Sequence, residues 1–372
     1  MSRRDGAPDG VVIHVLTSLH FGGVEKHMEI LARSAFLSVY DHRFCAIGEG
    51  GHVAANLASI PVRVTCLGLS CKIPNPRALY QLWRMFKREG PLIVHTHGAE
   101  ANFHALIAAW FAKVPVRVGE EIGIPRHGRR ARWVFKQVFR CAHRVVGISN
   151  AVVNWLVVHD EVPSEKAVRI YNPVEFPPHM PGQSNHRDGR FRLGYVGRLE
   201  SVKNPEALIR ATGILRDRGI PAEAWLVGDG SLASSLTELA NDLEIAEHIH
   251  FLGYQESPFA KISMCHLYVQ PSISEGFGLA LVEAMGCAVP VLATSVGGAP
   301  EIITHDRTGW LIEKTDASAV AAELQRIWAN RAVLPDIGQA GRDAVLSRFL
   351  PENYVRDLDH FYSALSHESL DQ

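Results

Sequence analysis

Two basic residues in the second half of the chain are spaced so that they could bind an anion together. Arg198 and Lys203 follow the apolar run 191–196 and precede Pro205, which is well placed to begin a helix. An Arg side chain offers a planar fork for phosphate oxygens, and a Lys side chain offers a mobile positive charge. The residue types alone are equally compatible with two solvated surface cations.

Two acidic residues follow at a second point. Glu275 and Glu283 lie on either side of the turn Gly276-Phe277-Gly278-Leu279. A glycine-rich turn that opens a helix presents backbone N–H groups and the positive end of the helix dipole, which suits a diphosphate. The two carboxylates could then accept hydrogen bonds from hydroxyl groups on either side of it. The alternative is one carboxylate stabilised by the dipole and one ordinary exposed helical Glu, and the residues alone leave both open.

The surrounding sequence alternates short apolar runs with helical patterns, which is typical of βα units and an α/β fold. Strands are predicted at 11–16, 43–47, 62–67, 92–94, 116–118, 144–148, 168–170, 191–196, 223–227, 248–252, 267–270 and 289–293. A Pro-rich, polar segment before residue 190 predicts a linker. We therefore expect two Rossmann-like, doubly wound parallel-sheet domains that face each other across a ligand-binding cleft.

The first half adds a glycine turn and a pair of histidines. Gly22 and Gly23 follow the first predicted strand, where a short glycine turn lets backbone approach a ligand closely. His95 and His97 follow the predicted strand 92–94, and residues two apart on a strand point to the same side. Because no third ligand is apparent nearby, we predict no metal site.

Composition narrows the class of protein. The formal net charge of the 372-residue chain is −1, which argues against nucleic-acid binding. The six cysteines are scattered, which fits a reducing compartment rather than a disulfide framework or structural zinc. No stretch reaches the roughly 18 apolar residues of a membrane span. We expect a cytoplasmic protein that is soluble or peripheral on the inner face of a membrane.

The two motifs together identify a family. The segments Val196-Gly197-Arg198-Leu199 with Lys203-Asn204, and Glu275-Gly276-Phe277-Gly278-Leu279 with Glu283-Ala284-Met285, resemble the retaining glycosyltransferases of the family 4 type (glycosyl transferases group 1). The resemblance extends over nearly the whole chain. Its most specific part is the spacing of the two glutamates around Gly-Phe-Gly-Leu. The resemblance implies the GT-B fold, with domains at 1–178 and 188–349. It also implies a C-terminal helix, 350–372, that packs back on the first domain.

The resemblance implies roles for the four charged residues. Arg198 and Lys203 would neutralise the diphosphate of a nucleotide-sugar donor. Glu283 would accept hydrogen bonds from the ribose hydroxyls, and Glu275 would contact hydroxyls of the transferred sugar. Two cations and a helix end can stabilise a departing nucleoside diphosphate without a metal, so we expect neither a metal nor a cofactor.

The resemblance also assigns residues of lesser specificity. Backbone amides near Gly278 and Leu279 would meet the phosphates, and Gly23 would face them across the cleft. His97 would meet the transferred sugar, and Asn172 would help close the two domains at the hinge. The reaction would retain the anomeric configuration. The acceptor would be a sugar, a glycolipid or a small molecule, and the expected setting is bacterial cell-surface polysaccharide or glycolipid synthesis.

Other activities remain as alternatives. The segment Gly228-Asp229-Gly230-Ser231-Leu232-Ala233 follows a predicted strand and matches the G-x-G-x-x-A dinucleotide fingerprint, which would suit a nicotinamide-dependent oxidoreductase. It is not the first βα unit of its domain, and a similar turn is usual in the resembled family. A sugar phosphorylase or a nucleotide-sugar epimerase of the same fold is disfavoured by the Glu275 to Glu283 segment.

A basic and aromatic block occupies residues 126–140. At helical spacing Arg129, Arg132, Lys136 and Arg140 form one stripe, with Trp133 and other apolar residues beside it. Such a face could rest on an anionic membrane surface. A solvated helix with an aromatic core face is an equally good interpretation.

Overall fold

The computed structural model describes residues 8–20, 22–177 and 189–370. The described residues up to Glu175, with those from Phe349 onward, form one compact unit, called domain 1. The described residues of Phe176–Arg348 form the other, called domain 2. The predicted boundaries at 178 and 188, and most of the predicted linker, lie outside the described residues.

Domain 1 is built on a seven-stranded parallel sheet of order β3-β2-β1-β4-β5-β6-β7. Its strands are β1 (Val11–Leu16), β2 (Asp41–Ala46), β3 (Arg63–Cys66), β4 (Ile93–His97), β5 (Val116–Glu121), β6 (Arg144–Gly147) and β7 (Ala167–Arg169). The helices between them are α1 (Gly23–Ser34), α2 (His52–Ala58), α3 (Pro76–Glu89), α4 (Ala99–Ala112), α5 (Arg129–Arg140) and α6 (Asn150–Val158).

Domain 2 is built on a six-stranded parallel sheet of order β10-β9-β8-β11-β12-β13. Its strands are β8 (Phe191–Val196), β9 (Ala222–Val227), β10 (Ile249–Phe251), β11 (Leu267–Gln270), β12 (Val291–Thr294) and β13 (Trp310–Ile312). Its helices are α7 (Pro205–Asp217), α8 (Ala233–Asp242), α9 (Phe259–Ile262), α10 (Leu279–Gly286), α11 (Ala299–Ile302), α12 (Ala317–Ala329) and α13 (Leu334–Leu346).

The last helix, α14 (Pro351–Leu370), belongs to domain 1. It lies within the predicted C-terminal helix, 350–372. Tyr354, Leu358 and Tyr362 are at most 5% exposed and join the apolar core beside α1 and the strands. The chain therefore leaves domain 1, builds domain 2 and returns to complete the first core.

Both sheets have the same topological feature. In each sheet the chain adds its second and third strands on one side of the first strand, and then places its fourth strand on the other side of the first. The switch points are β1/β4 in domain 1 and β8/β11 in domain 2, and ligands of such sheets bind beyond the carboxyl ends of the strands at that point. Two Rossmann-like, doubly wound domains are thus confirmed. No described helix is long and apolar enough to span a bilayer.

Candidate active site

Lys203 and Glu275 meet at the switch point of domain 2. The amine of Lys203 lies 2.8 Å from Oε1 and 2.7 Å from Oε2 of Glu275, so the contact uses both carboxylate oxygens. Lys203 follows β8 and Glu275 follows β11, and these two strands are neighbours in the sheet. The strand order therefore brings together two residues that are 72 positions apart in the sequence. They meet beyond the carboxyl ends of the strands, where ligands of this class of sheet bind.

The loop that carries Lys203 is held in place by the next residue. Asn204 has a left-handed backbone, with φ 53°, which Asn tolerates better than most residues. Its side-chain amide donates to the carbonyl of Pro271 at 3.1 Å and to that of Thr315 at 2.8 Å. Pro205 then takes the first position of α7, where its missing N–H is no loss. Lys203 is thereby followed by two residues that fix the course of the loop.

The Glu275 carboxylate is 9% exposed and has further partners. The side-chain amide of Gln270 donates to Oε2 at 2.8 Å, and the Ser272 hydroxyl lies 3.4 Å from the same oxygen. The Tyr268 hydroxyl contacts the side-chain oxygen of Gln270 at 3.1 Å and so fixes that amide. A buried carboxylate needs both an opposite charge and hydrogen bonds, and Glu275 has both. Gln270 was not predicted, although it is the polar end of an otherwise apolar strand.

Glycines bring backbone to within contact distance of the Glu275 loop. A side chain on Gly297, whose φ is 56°, would place its Cβ 1.6 Å from the carbonyl oxygen of Glu275. The Cβ of a side chain on Gly298 would lie 2.5 Å from the carbonyl oxygen of Phe277. Gly278, with φ 112°, turns the chain into α10, whose first residue is Leu279. The predicted glycine turn at the start of a helix is therefore present.

The other two charged residues have contrasting surroundings. Glu283 lies within α10 and is only 6% exposed, so it is not an ordinary surface residue. Arg198 is exposed on the loop after β8. The hydroxyl of Tyr195 donates to the carbonyl oxygen of Arg198 at 2.9 Å, which fixes the backbone but leaves the guanidinium outside the core.

The Gly228-Asp229-Gly230 turn packs against the Arg198 loop. The Leu199 amide donates to the Asp229 carbonyl at 2.9 Å, and a Cβ on Gly228 would lie 1.9 Å from the carbonyl oxygen of Gly197. The amide of Gly230 donates to the Asp229 side chain at 2.7 Å. The Gly230 amide, which a dinucleotide phosphate would need as a donor, is therefore already bound, and the turn supports the neighbouring loop.

The amide of Ser231 is engaged as well. It donates to the Glu200 carboxylate at 2.9 Å, and the Ser231 hydroxyl donates to the other oxygen of that carboxylate at 2.7 Å. These bonds hold the pKa of Glu200 below its ordinary value. A second amide of the alternative dinucleotide turn is therefore already bound.

Three predicted residues lie in domain 1. Gly23 begins α1 after the β1 loop and is exposed. His97 is the last residue of β4 and is 2% exposed; its ring contacts His14 at 3.0 Å and Glu120 at 2.6 Å. Asn172 follows β7 and is 7% exposed. Their predicted roles toward the donor stay predictions.

The reason given for expecting no metal is wrong. His14 of β1 is a third imidazole beside His95 and His97, and ring nitrogens of the three lie within 4.8 Å of one another. Sequence spacing could not show this, because the proximity comes from the pairing of β1 with β4. Facing nitrogens of His14 and His97 are joined by a hydrogen bond at 3.0 Å. The absence of a metal stays a prediction.

Two family models together cover most of the chain. The model described as "Glycosyltransferase Family 4" matches residues 21–176, and the model described as "Glycosyl transferases group 1" matches residues 178–344. The chain belongs to the group 1 glycosyltransferases of the family 4 type.

Curated relatives of this glycosyltransferase match different lengths of it. N-acetyl-alpha-D-glucosaminyl L-malate synthase of Bacillus anthracis is 31% identical over 46% of the chain, and the match spans 44% of that relative, less than half its length. Capsular polysaccharide biosynthesis glycosyltransferase CapM of Staphylococcus aureus is 23% identical over 79% of the chain and 82% of its own length. The GDP-mannose-dependent alpha-(1-6)-phosphatidylinositol monomannoside mannosyltransferase of Mycolicibacterium smegmatis is 26% identical over 88% and 91%.

A solved structure shares the fold. Anabaena HepE in complex with UDP superimposes with a TM-score of 0.82 at 20% identity and covers 95% of this chain and 99% of its own. This likeness confirms the predicted GT-B fold.

Proposed function

We propose that this glycosyltransferase moves a sugar from a nucleoside diphosphate sugar to an acceptor, with retention of the anomeric configuration. The observation that carries the proposal is the Lys203–Glu275 contact at the β8/β11 switch point, beside the start of α10. It sets a cation, a buried carboxylate and a helix N-terminus at one place, which suits a diphosphate joined to a polyhydroxylated group. The complex of HepE with UDP supports a nucleotide donor.

Each charged residue has a role that fits its surroundings. Arg198 is exposed and would bind phosphate oxygens with its planar guanidinium. Lys203 would share its charge between the diphosphate and Glu275. The buried Glu275 carboxylate would orient hydroxyls of the transferred sugar, while Glu283 would accept hydrogen bonds from the ribose. Amides near Gly278 and Leu279 would meet the phosphates.

In the proposed reaction the bond between the anomeric carbon and the diphosphate oxygen breaks, and the acceptor oxygen attacks from the face that the diphosphate leaves. The acceptor hydroxyl proton passes to the departing diphosphate. Arg198, Lys203 and the end of α10 stabilise the negative charge that grows on that group. Because Glu275 is held by Lys203 and Gln270, it is better placed to bind hydroxyls than to act as a mobile nucleophile.

A donor panel tests the proposal. Purified chain is incubated with UDP- and GDP-linked sugars with and without acceptors, and nucleoside diphosphate release is followed. We expect release from at least one donor, and a product whose anomeric proton coupling in NMR matches that of the donor. An inverted product would contradict retention, and release from no donor would contradict the donor class.

We further propose a role in bacterial cell-surface polysaccharide or glycolipid synthesis, at the cytoplasmic face of a membrane. CapM and the phosphatidylinositol monomannoside mannosyltransferase support this by their names. The acceptor would then carry a sugar on a polymer or a lipid.

The basic block 126–140 supports a membrane contact in part. α5 buries Phe135 and Phe139 but leaves Trp133 66% exposed beside Arg129 and Arg132. α4 packs against α5 and exposes Trp110 and Phe111, and an apolar groove of about 440 Å³ lies between α3 and α4. Cations beside exposed aromatic rings suit an anionic lipid surface.

Vesicle co-sedimentation at low salt tests the contact. We expect binding to vesicles that contain anionic lipid and weaker binding by a Trp133→Ser/Arg129→Gln variant. Equal sedimentation with neutral and anionic vesicles would contradict it.

A further inference from the structure

The core of domain 1 contains an unusual concentration of titratable groups. Five histidines and one carboxylate, each at most 2% exposed, come from four adjacent strands and from α1: His14, His27, His42, His95, His97 and Glu120. We call this set the histidine cluster. The donor site described above lies in domain 2 and includes none of these residues. The resemblance predicts a contact with the transferred sugar for His97 only, which leaves the other members unexplained.

One end of the cluster fixes the direction of its hydrogen bonds. The Asp359 carboxylate can only accept, so the Ser38 hydroxyl donates to it at 2.6 Å. The Ser38 oxygen then accepts from Nε2 of His42 at 2.9 Å. Burial lowers the pKa of His42 to about 4, so this ring carries a single proton at neutral pH. That proton is on Nε2, which leaves Nδ1 of His42 as an acceptor.

The hydrogen bonds between the next imidazole rings have the same direction of donation. Nε2 of His14 lies 2.9 Å from Nδ1 of His42 and must donate to it. Burial also lowers the pKa of His14 well below its ordinary value, so His14 has no second proton and its Nδ1 accepts. The donor to that nitrogen is Nε2 of His97, at 3.0 Å.

A second series of contacts in the cluster links Tyr362 through His95 to Glu120. Burial raises the pKa of Tyr362 well above its ordinary value, so its hydroxyl keeps its proton and donates to Nδ1 of His95 at 2.7 Å. Burial lowers the pKa of His95 to about 4, so its one proton is on Nε2. That nitrogen faces Oε2 of Glu120 at 3.2 Å.

The remaining contact cannot be made without another proton. Nδ1 of His97 lies 2.6 Å from Oε2 of Glu120, and both atoms are buried without an aligned hydrogen-bond partner among the described residues. If His97 carried only the proton that it gives to His14, two acceptors would face each other in a buried site, which is strongly unfavourable. We infer that a proton is held between His97 Nδ1 and Glu120 Oε2 as an imidazolium–carboxylate pair, and that Glu120 positions His97 for glycosyl transfer.

The surroundings favour the charge on Glu120. Burial opposes its ionisation, but His97 and His95 outweigh burial and hold its pKa below the ordinary value. The groups that face His97 are His14 from β1, His95 from β4, Glu120 from β5 and, from α1, His27, whose pKa burial lowers to about 3. α14 adds Tyr354 against His27 and Tyr362 against His95. Glu120 is the single carboxylate among these described neighbours.

Nitrogen NMR of histidine-labelled protein tests the proton directly. Two-bond nitrogen–proton correlations distinguish singly from doubly protonated rings. At neutral pH we expect His97 to be doubly protonated and His14, His42 and His95 to be singly protonated. Glu120→Gln keeps the shape of the side chain but removes the charge, so His97 should become singly protonated. The wild-type spectrum alone decides the proton position even if the variant does not fold.

Glu121→Gln is the matched control. Glu121 is the next residue of β5 and is also buried, but its carboxylate accepts from Asn102 at 3.0 Å instead of contacting a histidine of the cluster. The His97 signals should be unchanged in this variant. A singly protonated His97 in the wild type, or zinc bound at one ion per chain through unprotonated ring nitrogens, would overturn the inference.

The positioning role rests on the proposed function and has its own readout. Glu120→Gln should lower kcat by roughly 10- to 100-fold, as when the partner that orients a functional histidine is lost. It should also alter the pH profile of kcat, with a smaller change in the KM for the donor. An unchanged kcat and pH profile with the expected spectrum would overturn the positioning role. If no donor is turned over by the wild type, the proposed function fails while the spectrum still decides the proton.

Discussion

Glu275 is a buried carboxylate whose partners supply both an opposite charge and a hydrogen bond. Lys203 contributes the opposite charge and Gln270 a hydrogen bond, and all three follow or end neighbouring strands. Glu283 is buried as well but lies inside α10, on the opposite side of the glycine turn in the sequence. The two glutamates are therefore expected to contact different parts of the proposed donor.

Exchange of each glutamate for glutamine should separate the two roles. Glu283→Gln should weaken binding of the nucleoside diphosphate itself by roughly 10- to 100-fold, since a hydrogen bond to a charged group contributes about 1.5–3 kcal/mol. Glu275→Gln should leave that affinity nearly unchanged and lower kcat for transfer. Calorimetric titration and steady-state rates measure both. The same loss of nucleoside diphosphate affinity in both variants would contradict the assignment.

The residue-level prediction from the sequence was strongest where spacing is local. Arg198, Lys203, Glu275 and Glu283 were predicted from motifs that begin within a few residues of a strand end, and the structure brings Lys203 and Glu275 into contact. The roles of all four toward a donor stay predictions. The contact of His14 was missed, because it depends on which strands are neighbours and in what register. Gln270 was missed although it lies only five residues before Glu275, because it ends a strand whose other residues are apolar or aromatic. His14 pairs with His95 only through the β1–β4 alignment.

At the scale of elements, backbone packing around the Glu275 loop depends on glycine. Gly297 has a left-handed backbone and no room for a side chain, whereas Gly219 is left-handed with φ 74° but has no atom within 4 Å of the point that a Cβ would occupy. Replacing either glycine by alanine would strain the backbone by about 1 kcal/mol. Only a side chain at Gly297 would also force the Glu275 carbonyl to move.

Gly297→Ala should therefore destabilise domain 2 far more than Gly219→Ala. We expect a loss of about 1 kcal/mol for Gly219→Ala and at least twice that for Gly297→Ala, with impaired donor binding in the latter only. Urea unfolding and donor titration of the two variants measure this. Equal stability losses would show that the close packing of Gly297 on Glu275 is unimportant.

Strand positions were predicted well, but strand ends were not. The predicted strand at 92–94 ends before the histidines, whereas β4 continues to His97. Hydropathy treats a histidine as a polar break, yet these rings are buried because they hydrogen-bond to other buried polar groups. β13 (Trp310–Ile312) lies outside all of the predicted strands.

At the scale of the molecule, the histidine cluster makes domain 1 sensitive to acid. His42 and His95 have pKa values lowered by burial from 6.5 to about 4, so the unfolded chain binds more protons than the folded chain between these values. The contribution of these two rings to stability is then complete above about pH 6.5 and is lost as the pH falls toward 4. Within this window each of these histidines lowers the free energy of unfolding by about 1.4 kcal/mol for every unit by which the pH falls.

Calorimetry at pH 7.5 and pH 5.5 measures the effect. We expect the unfolding transition of domain 1 to move down by several degrees at the lower pH. Domain 2 is an internal control, because the buried polar residues of its described part include no histidine. A domain 1 transition that is unchanged or higher at pH 5.5 would contradict the neutral state of these rings.

Binding of a nucleoside diphosphate through Lys203 tests the account most directly. Calorimetric titration of UDP and GDP is compared for the wild type, Lys203→Met and Arg218→Met, which removes a cation from the far end of α7. We predict binding of at least one diphosphate, a roughly 10- to 100-fold loss in Lys203→Met and no change in Arg218→Met. Binding of neither diphosphate, or equal affinity in the wild type and Lys203→Met, would contradict the donor site.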